Sequence, residues 1–269
     1  MKNKDKNIKT LCSKLNLIPE SIVFIDDNPV ERDLVSSNIP GIVVPNLTSD
    51  VTEYIDFLDK NKFFVNSNIT IEDLSRNNSL KVNQKINQYL DELKNYDEYL
   101  KSLEMESKIS IIISSDINRI VQLVNKTNQF NLTNLRITSA DIEKRINKKN
   151  SILLYATLKD KFCNYGLISI FIADKLNKNE MNIELWVMSC RVFKRNLENI
   201  VFNKFIQECR KNKIKKILGT YNKSSKNKIV STLYKNLGFG KNKNSNKDVW
   251  ELLVKNYKNN KIFSIKLTN

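Results

Sequence analysis

The sequence contains no histidine in its 269 residues. That absence removes every site that needs an imidazole: the Ser-His-Asp triad, Cys-His pairs and histidine-ligated zinc. Cysteine is scarce. Cys12, Cys163, Cys190 and Cys209 form no CxxC pair, which argues against a metal knuckle. With no export signal in view, they are expected to be reduced thiols of a cytoplasmic protein. No apolar run approaches the about 18 residues that a membrane helix needs, so a soluble chain with no membrane partner is expected. Internal repeats and long low-complexity tracts are also absent.

What is present is apolar enough to pack, at 41% hydrophobic residues, and long enough for two modest domains or one large one. The formal charge of +16 is unevenly spread. Residues 1–62 carry 8 basic and 10 acidic side chains, residues 63–107 carry 5 and 8, and residues 108–269 carry 32 and 11. That split points to at least two units, the second with an anionic partner. A Lys- and Asn-rich codon bias is the plainer source of the lysines scattered through 211–261.

Residues 4–16 read as a short amphipathic helix, with Ile8, Leu11, Cys12 and Leu15 at helical spacing. Residues 21–25 form a continuous apolar run, as expected of a parallel strand buried on both faces. The run ends in Asp26-Asp27, after which Asn28 can cap a helix opened by Pro29. A second strand is expected at 41–44, giving a βαβ segment too short for a free-standing doubly wound domain. A polar helical connector follows, its stripe formed by Ile86, Tyr89, Leu90, Leu93, Tyr96, Leu100 and Leu103. Beyond it, strands are expected near 108–114, 152–158, 166–173, 182–188, 216–220 and 249–254. Helices are expected from Asp116, over 194–211 and up to Leu237. That order is an α/β unit with a mixed, mostly antiparallel sheet.

The string Phe24-Ile-Asp-Asp-Asn-Pro-Val-Glu-Arg-Asp-Leu-Val35 resembles the last acidic motif of haloacid-dehalogenase-like (HAD) phosphatases, and more narrowly their FkbH-like branch. Lys4-Asp-Lys-Asn-Ile8 is similar to the segment that supplies that family's phosphate-binding lysine. The resemblance implies that Asp26 and Asp27 contribute to a Mg²⁺ site and that Lys4 neutralises a phosphoryl group. The plain alternative is a strand-end turn and a helix cap. Nothing before Lys4 supplies the family's Asp-x-Asp nucleophile. No phosphatase activity is therefore expected of this chain alone, and a separate chain could supply the rest of that domain.

Four further segments resemble the GNAT-type acyltransferase domain of FkbH-like proteins: residues 119–133, 186–195, 221–227 and 233–239. The expected organisation is a HAD-like C-terminal fragment over 1–62, the connector over 63–105 and a GNAT-like domain over 106–260. GNAT-type domains lay a pantetheine arm against a splayed strand and its phosphates on a helix start. The resemblance thus implies a carrier protein's phosphopantetheine, or acyl-CoA, gripped by Arg191, Lys194, Arg195, Lys226 and Asn227. Lys194 and Asn196 stand where small residues are usual, and a solvated helix start is the bland reading of these cations. Cys190 is a candidate nucleophile, activated by a helix dipole and Arg191, or else a small core residue. Glu184 is a candidate base, sharing Cys190's face at even spacing. Tyr234 is a candidate general acid or a packed core ring. Asn128, Gln129 and Asn131 are candidate substrate-polarising groups, or capping and turn residues. In the loop 161–166, Cys163 and Asn164 replace the glycine and acid usual in relatives.

The family resemblance implies transfer of an acyl group, a glyceryl unit in the family, to an acyl carrier protein. The acidity of carrier proteins fits the basic half. A non-catalytic module that only binds a carrier protein or partner is the alternative. Nucleic acid is disfavoured, because no helix-turn-helix, zinc or RNP-like motif accompanies the charge.

Overall fold

A computed structural model describes residues 4–15, 17–48, 50–64, 96–148, 150–242 and 248–268. Most of the expected connector, including Ile86, Tyr89, Leu90 and Leu93, lies outside the described residues. The chain divides into two compact units, Met1–Leu74 and Ser75–Asn269.

In the first unit, α1 spans Lys4–Leu15, α2 Pro29–Asn38 and α3 Tyr54–Lys60. Helix α2 starts where its sequence dictates. The Asn28 side chain accepts a hydrogen bond from Val30 N at 2.9 Å, and Pro29 fills the first position, where no N–H is needed. Ile8, Val35 and Ile39 are the buried residues of the unit's apolar cluster, with Ile22, Phe24, Ile42 and Val44 packed against them. The expected strand at 21–25 is reduced to one parallel bridge, Val23 with Val43, and Ile25 is 39% exposed. Burial on both faces requires flanking layers, and a three-residue cluster covers too little.

In the second unit, the elements run α4 (Tyr96–Ser102), β1 (Met105–Ile111), α5 (Ile117–Lys126), α6 (Ser139–Lys148), β2 (Ser151–Lys159), β3 (Asn164–Lys175) and β4 (Glu180–Met188). There follow α7 (Leu197–Lys211), β5 (Lys216–Thr220), α8 (Leu233–Asn236), β6 (Gly240–Lys241), β7 (Val249–Leu253) and β8 (Ile265–Thr268). One eight-stranded sheet results, in the order β6-β7-β5-β4-β3-β2-β1-β8. The β4–β5 and β1–β8 pairs are parallel and the others antiparallel, so the sheet is mixed and mostly antiparallel, as expected. Ile120, Val124 and Ile142, from α5 and α6, cover Leu153, Ile170 and Val187 on one face. On the other, Phe202 and Phe205 of α7 pack on Phe171 and Trp186, whose rings meet edge-on at 4.9 Å. No described helix is long and apolar enough to cross a membrane.

Three expectations change here. The helix expected from Lys194 begins at Leu197, because Lys194 and Asn196 both take left-handed φ of 62°. The helix ending at Leu237 is two short pieces, a 3-10 turn over Lys228–Val230 and α8. Helix α6 and strand β8 add to the expected elements. A Thr138–Asp141 capping pair opens α6, with Thr138 N and Oγ1 both donating to Asp141 Oδ2 at 2.8 Å.

Candidate functional site

Strands β4 and β5 pair only from Glu180–Lys216 to Ile183–Gly219, and then part. At the parting point Ala173 pairs with Ile183 while Ile172 pairs with Leu185, so Glu184 is the extra residue of a β-bulge. The bulge ends the simple alternation that would put Glu184 and Cys190 on one face. Gly219 lets the Tyr234 ring lie against β5: an added Cβ would sit 2.4 Å from Tyr234 Cζ and 2.5 Å from its Oη. Tyr234 is 2% exposed, and its hydroxyl has no hydrogen-bond partner among the described residues. Burial, then the charge of Glu184, holds this phenol above the usual tyrosine range. Asn182 Nδ2 donates to Glu184 Oε1 at 2.7 Å and orients the carboxylate. Glu184 and Tyr234, chosen from sequence, thus lie near enough for the charge of one to act on the other.

Past that point the gap is filled by the chain itself. Residues Phe130–Thr133 form an inset between the end of β4 and the segment leaving β5, with Asn131 bridged to Val187. Leu132 N donates to Trp186 O at 3.5 Å, Met188 N to Phe130 O at 3.2 Å and Thr133 Oγ1 to Glu184 O at 2.9 Å. On the far side, Asn222 N donates to Leu132 O at 2.8 Å, and Asn222 Nδ2 donates to Thr133 O at 3.0 Å. Asn227 ties these segments together. Its Nδ2 donates to Asn131 O and Asn222 O, both at 2.9 Å, and its Oδ1 accepts from Ser224 N at 2.8 Å. Asn131, Leu132 and Asn227 are all 0% exposed. Asn227 is therefore spent on backbone groups where a phosphate contact was expected, and Asn131 on the carbonyl of Leu135 at 3.2 Å. Asn128 accepts from the Arg136 guanidinium, and Gln129 is half-buried on the same turn. An arm laid along β4 beyond Ile183 would meet this inset, so the residues present do not fit one there.

The expected cations do not converge on one anion. Arg195 is 5% exposed and points inward, with Nη1 2.6 Å from Asp160 Oδ2 and Nη2 donating to Tyr165 OH at 2.8 Å. Burial opposes its charge, but Tyr165 and Asp160 outweigh that and raise its pKa. Arg191 Nε donates to Ser189 Oγ at 3.2 Å, while Lys194 and Lys226 are exposed. Lys194 and Asn196 both take left-handed backbone, with φ of 62°, a region that favours glycine. Glu198, in the first turn of α7, is held above the ordinary carboxylate range by burial. Its acid group occupies the helix start where an anion would bind. Cys190 lies half-buried in a 3-10 turn over Cys190–Val192. The dipole argument for Cys190 lapses, because α7 begins only at Leu197 and the effect fades within a turn. Cys209 is buried, and its thiol is pushed up to about 12 by burial.

Asp160 was the residue missed. Its Oδ1 accepts from Phe162 N at 2.9 Å and Cys163 N at 2.8 Å, and its Oδ2 from Tyr165 OH at 2.9 Å and Arg195. One buried acid thus holds the loop in which Cys163 and Asn164 had looked like losses. Only its place just before that loop could have signalled it.

In the first unit, Lys4 Nζ lies 2.6 Å from Asp26 Oδ2, and Asn28 N donates to Asp26 Oδ1 at 3.0 Å. The hydrogen bond from Lys4 holds the Asp26 carboxyl below its usual range. Arg32 donates to the carbonyls of Asp26 and Asp27 at 2.8 and 3.0 Å, and Asp27 is exposed. Both Asp26 oxygens are engaged, and no group of three or more acids or cysteines among the described residues could hold a metal. Alone, these residues do not fit Mg²⁺.

No family model and no curated protein matches the chain. Among solved structures, it is similar to an acetyltransferase of the GNAT family from Streptococcus pneumoniae, at 20% identity and a TM-score of 0.41, over 55% of this chain and 99% of that one. It is likewise similar to a GNAT-family acetyltransferase from Staphylococcus aureus, at 12% identity and a TM-score of 0.44, over 55% of this chain and 99% of that one. A third likeness is to the N-terminal part of a Bacteroides fragilis protein containing a phosphatase domain complexed with Mg. It has 38% identity and a TM-score of 0.25, and covers 25% of this chain and 18% of that one.

Proposed function

We propose that the second unit transfers an acyl group, such as a glyceryl unit, to the thiol of an acyl carrier protein. The observation that carries this reading is the orphaned, buried hydroxyl of Tyr234 beside Glu184, where β4 and β5 part. Leaving a buried donor without a partner costs about 1–3 kcal/mol, a cost that a reacting substrate atom would relieve. In the step, the acceptor S–H gives its proton to Glu184 and its sulfur bonds to the acyl carbon. The bond to the leaving group breaks, and Tyr234 supplies a proton to that group. Asn182 keeps the Glu184 carboxylate in place. The 32 basic against 11 acidic side chains of residues 108–269 suit an acidic carrier protein. We take residues 1–62 as the end of a phosphatase-like domain, with Lys4 as its phosphate-binding remnant and Asp26 and Asp27 as part of its metal site. Its Mg²⁺ would need residues from a completing chain.

Intact-protein mass spectrometry of a carrier protein incubated with this chain and an acyl donor tests the reading. A carrier mass raised by the acyl group, and lost in Glu184→Gln, is expected. Carrier binding with no mass gain would favour a second reading, a binding module without catalysis. The inward-turned Arg195 and the inset along β4 speak for that alternative.

A further inference from the structure

Helix α7 and the chain that runs from Asn259 to Leu267 border a cavity of about 210 Å³, none of whose lining residues serves the reaction above. From α7 come Ile200, Asn203, Lys204 and Gln207, at the i, i+3, i+4 and i+7 spacing of one helix face. The facing chain is pinned at both ends. Asn203 Nδ2 donates to Asn260 O, Tyr257 OH to Asn203 Oδ1 and Asn260 Nδ2 to Asn199 Oδ1, each at 2.8 Å. From Ile265 onward the chain is strand β8, paired with β1. The cavity is the span left between a carboxamide cluster and a sheet edge, so the fold shapes it before any ligand arrives.

Two chemistries meet in the lining. Ile200, Ile262, Ile265 and Leu267 contribute aliphatic surface, and Leu267 is 58% exposed, which a bound apolar tail would relieve. Lys204, Gln207 and Asn259 contribute N–H donors, and Lys204 is the one charged residue of the lining. Lys204 Nζ lies 3.3 Å from Glu208 Oε1, but Lys211 Nζ reaches the same oxygen at 3.0 Å. Lys204 can therefore turn to a ligand without stripping Glu208 of a cation. Arg210 adds positive charge behind the wall, donating to Tyr257 O at 2.9 Å and to Asn259 Oδ1 at 3.4 Å. A single lysine in the lining balances one negative charge, whereas the second charge of a phosphate would go unmet. At about 30 Å³ of liquid volume per water, the cavity holds about seven water-sized groups. We propose that it binds a short aliphatic carboxylate of about six to eight heavy atoms. The carboxylate meets Lys204, Gln207 and Asn259, and the tail lies on the four aliphatic side chains.

NMR titration of the full chain with hexanoate tests this. Saturable shifts are expected at the methyls of Ile262, Ile265 and Leu267 and at the side-chain amides of Gln207 and Asn259. Hexanol keeps the tail without the charge, and should bind about three- to tenfold more weakly. Acetate keeps the charge without the tail, and should bind at least about tenfold more weakly. Lys204→Met retains the aliphatic stem, and should bring hexanoate down to the level of hexanol while leaving hexanol unchanged. Leu267→Ala should weaken hexanoate and hexanol alike, about two- to fivefold. Both side chains are partly exposed, and an unshifted signal from the buried Trp186 indole would show that the variants keep the fold. No saturation at millimolar hexanoate, equal binding of hexanol or acetate, or full hexanoate binding by Lys204→Met would overturn the proposal. None of these readouts involves a carrier protein, so failure of the acyl-transfer reading leaves this site standing.

Discussion

The two units make opposite bargains between motif and core. The first carries the most legible string in the chain, residues 24–35, on an apolar cluster with only Ile8, Val35 and Ile39 buried. The second carries shorter, weaker motifs on an eight-stranded sheet with apolar clusters on both faces. A recognisable motif and a robust fold are therefore separate properties. The first unit's helix start is held locally, by Asn28 and Arg32, while Lys4 reaches Asp26 across 22 positions and Asn38 reaches Asp5 across 33. The second unit's Arg195 reaches Asp160 across 35 positions, and there both partners are buried.

The largest effect expected belongs to that pair. Arg195→Met leaves the Asp160 carboxylate buried without its cation, and should cost about 3–5 kcal/mol in urea unfolding of the second unit. A cost near zero would mean that the pair is not the buried link it is drawn as. Ile39→Ala removes one of the three buried side chains of the first unit's apolar cluster, at about 2–5 kcal/mol. Amide exchange should show α2 losing its protection altogether, and retention of that protection would show the core to be thicker than three residues.

A smaller contrast lies within the second unit. Gly219→Ala drives a methyl into the Tyr234 ring, at about 1–3 kcal/mol. Tyr234→Phe only removes an unpartnered hydroxyl, so it should melt no lower than the parent while acyl transfer falls about 10²-fold. Equal melting losses in both variants would mean that the hydroxyl has a partner in the fold. The smallest effect is at Lys4. The Asp26 carboxyl is held low, so the pair stabilises fully above pH about 4 and is lost as pH falls through the lowered value. In Lys4→Ala, the Asp26 titration followed by NMR should move up toward the ordinary carboxylate range; no movement would dismiss the contact.

Local grammar was readable and long-range partnership was not. The strand at 216–220 and the Asn28-Pro29 helix start follow from side-chain pattern and capping chemistry alone. Glu184 and Tyr234 were found as separate residues, and only the fold shows that a bulge and a glycine bring them together. Helix α6 could have been found from its Thr138–Asp141 spacing. The inset could not, because its partners lie 50 or more positions away and its strand pairing is a single bridge. Arg195 read as a surface cation because nothing adjacent in sequence names Asp160, which lies 35 positions away. The phosphate role of Asn227 fell for the same reason, since a buried carboxamide and an exposed one look identical in a string.

The parallel pairing of β8 with β1 bears on the order of assembly. Thr268 Oγ1 donates to Ser107 O across 161 positions of sequence. On the ribosome, the outer edge of β1 must therefore wait, unpaired, while nearly all of the second unit is synthesised. Such high contact order slows folding and leaves an open strand edge exposed to neighbouring chains. Met105–Ile111 is thus the strand of the sheet whose outer edge waits longest for its partner.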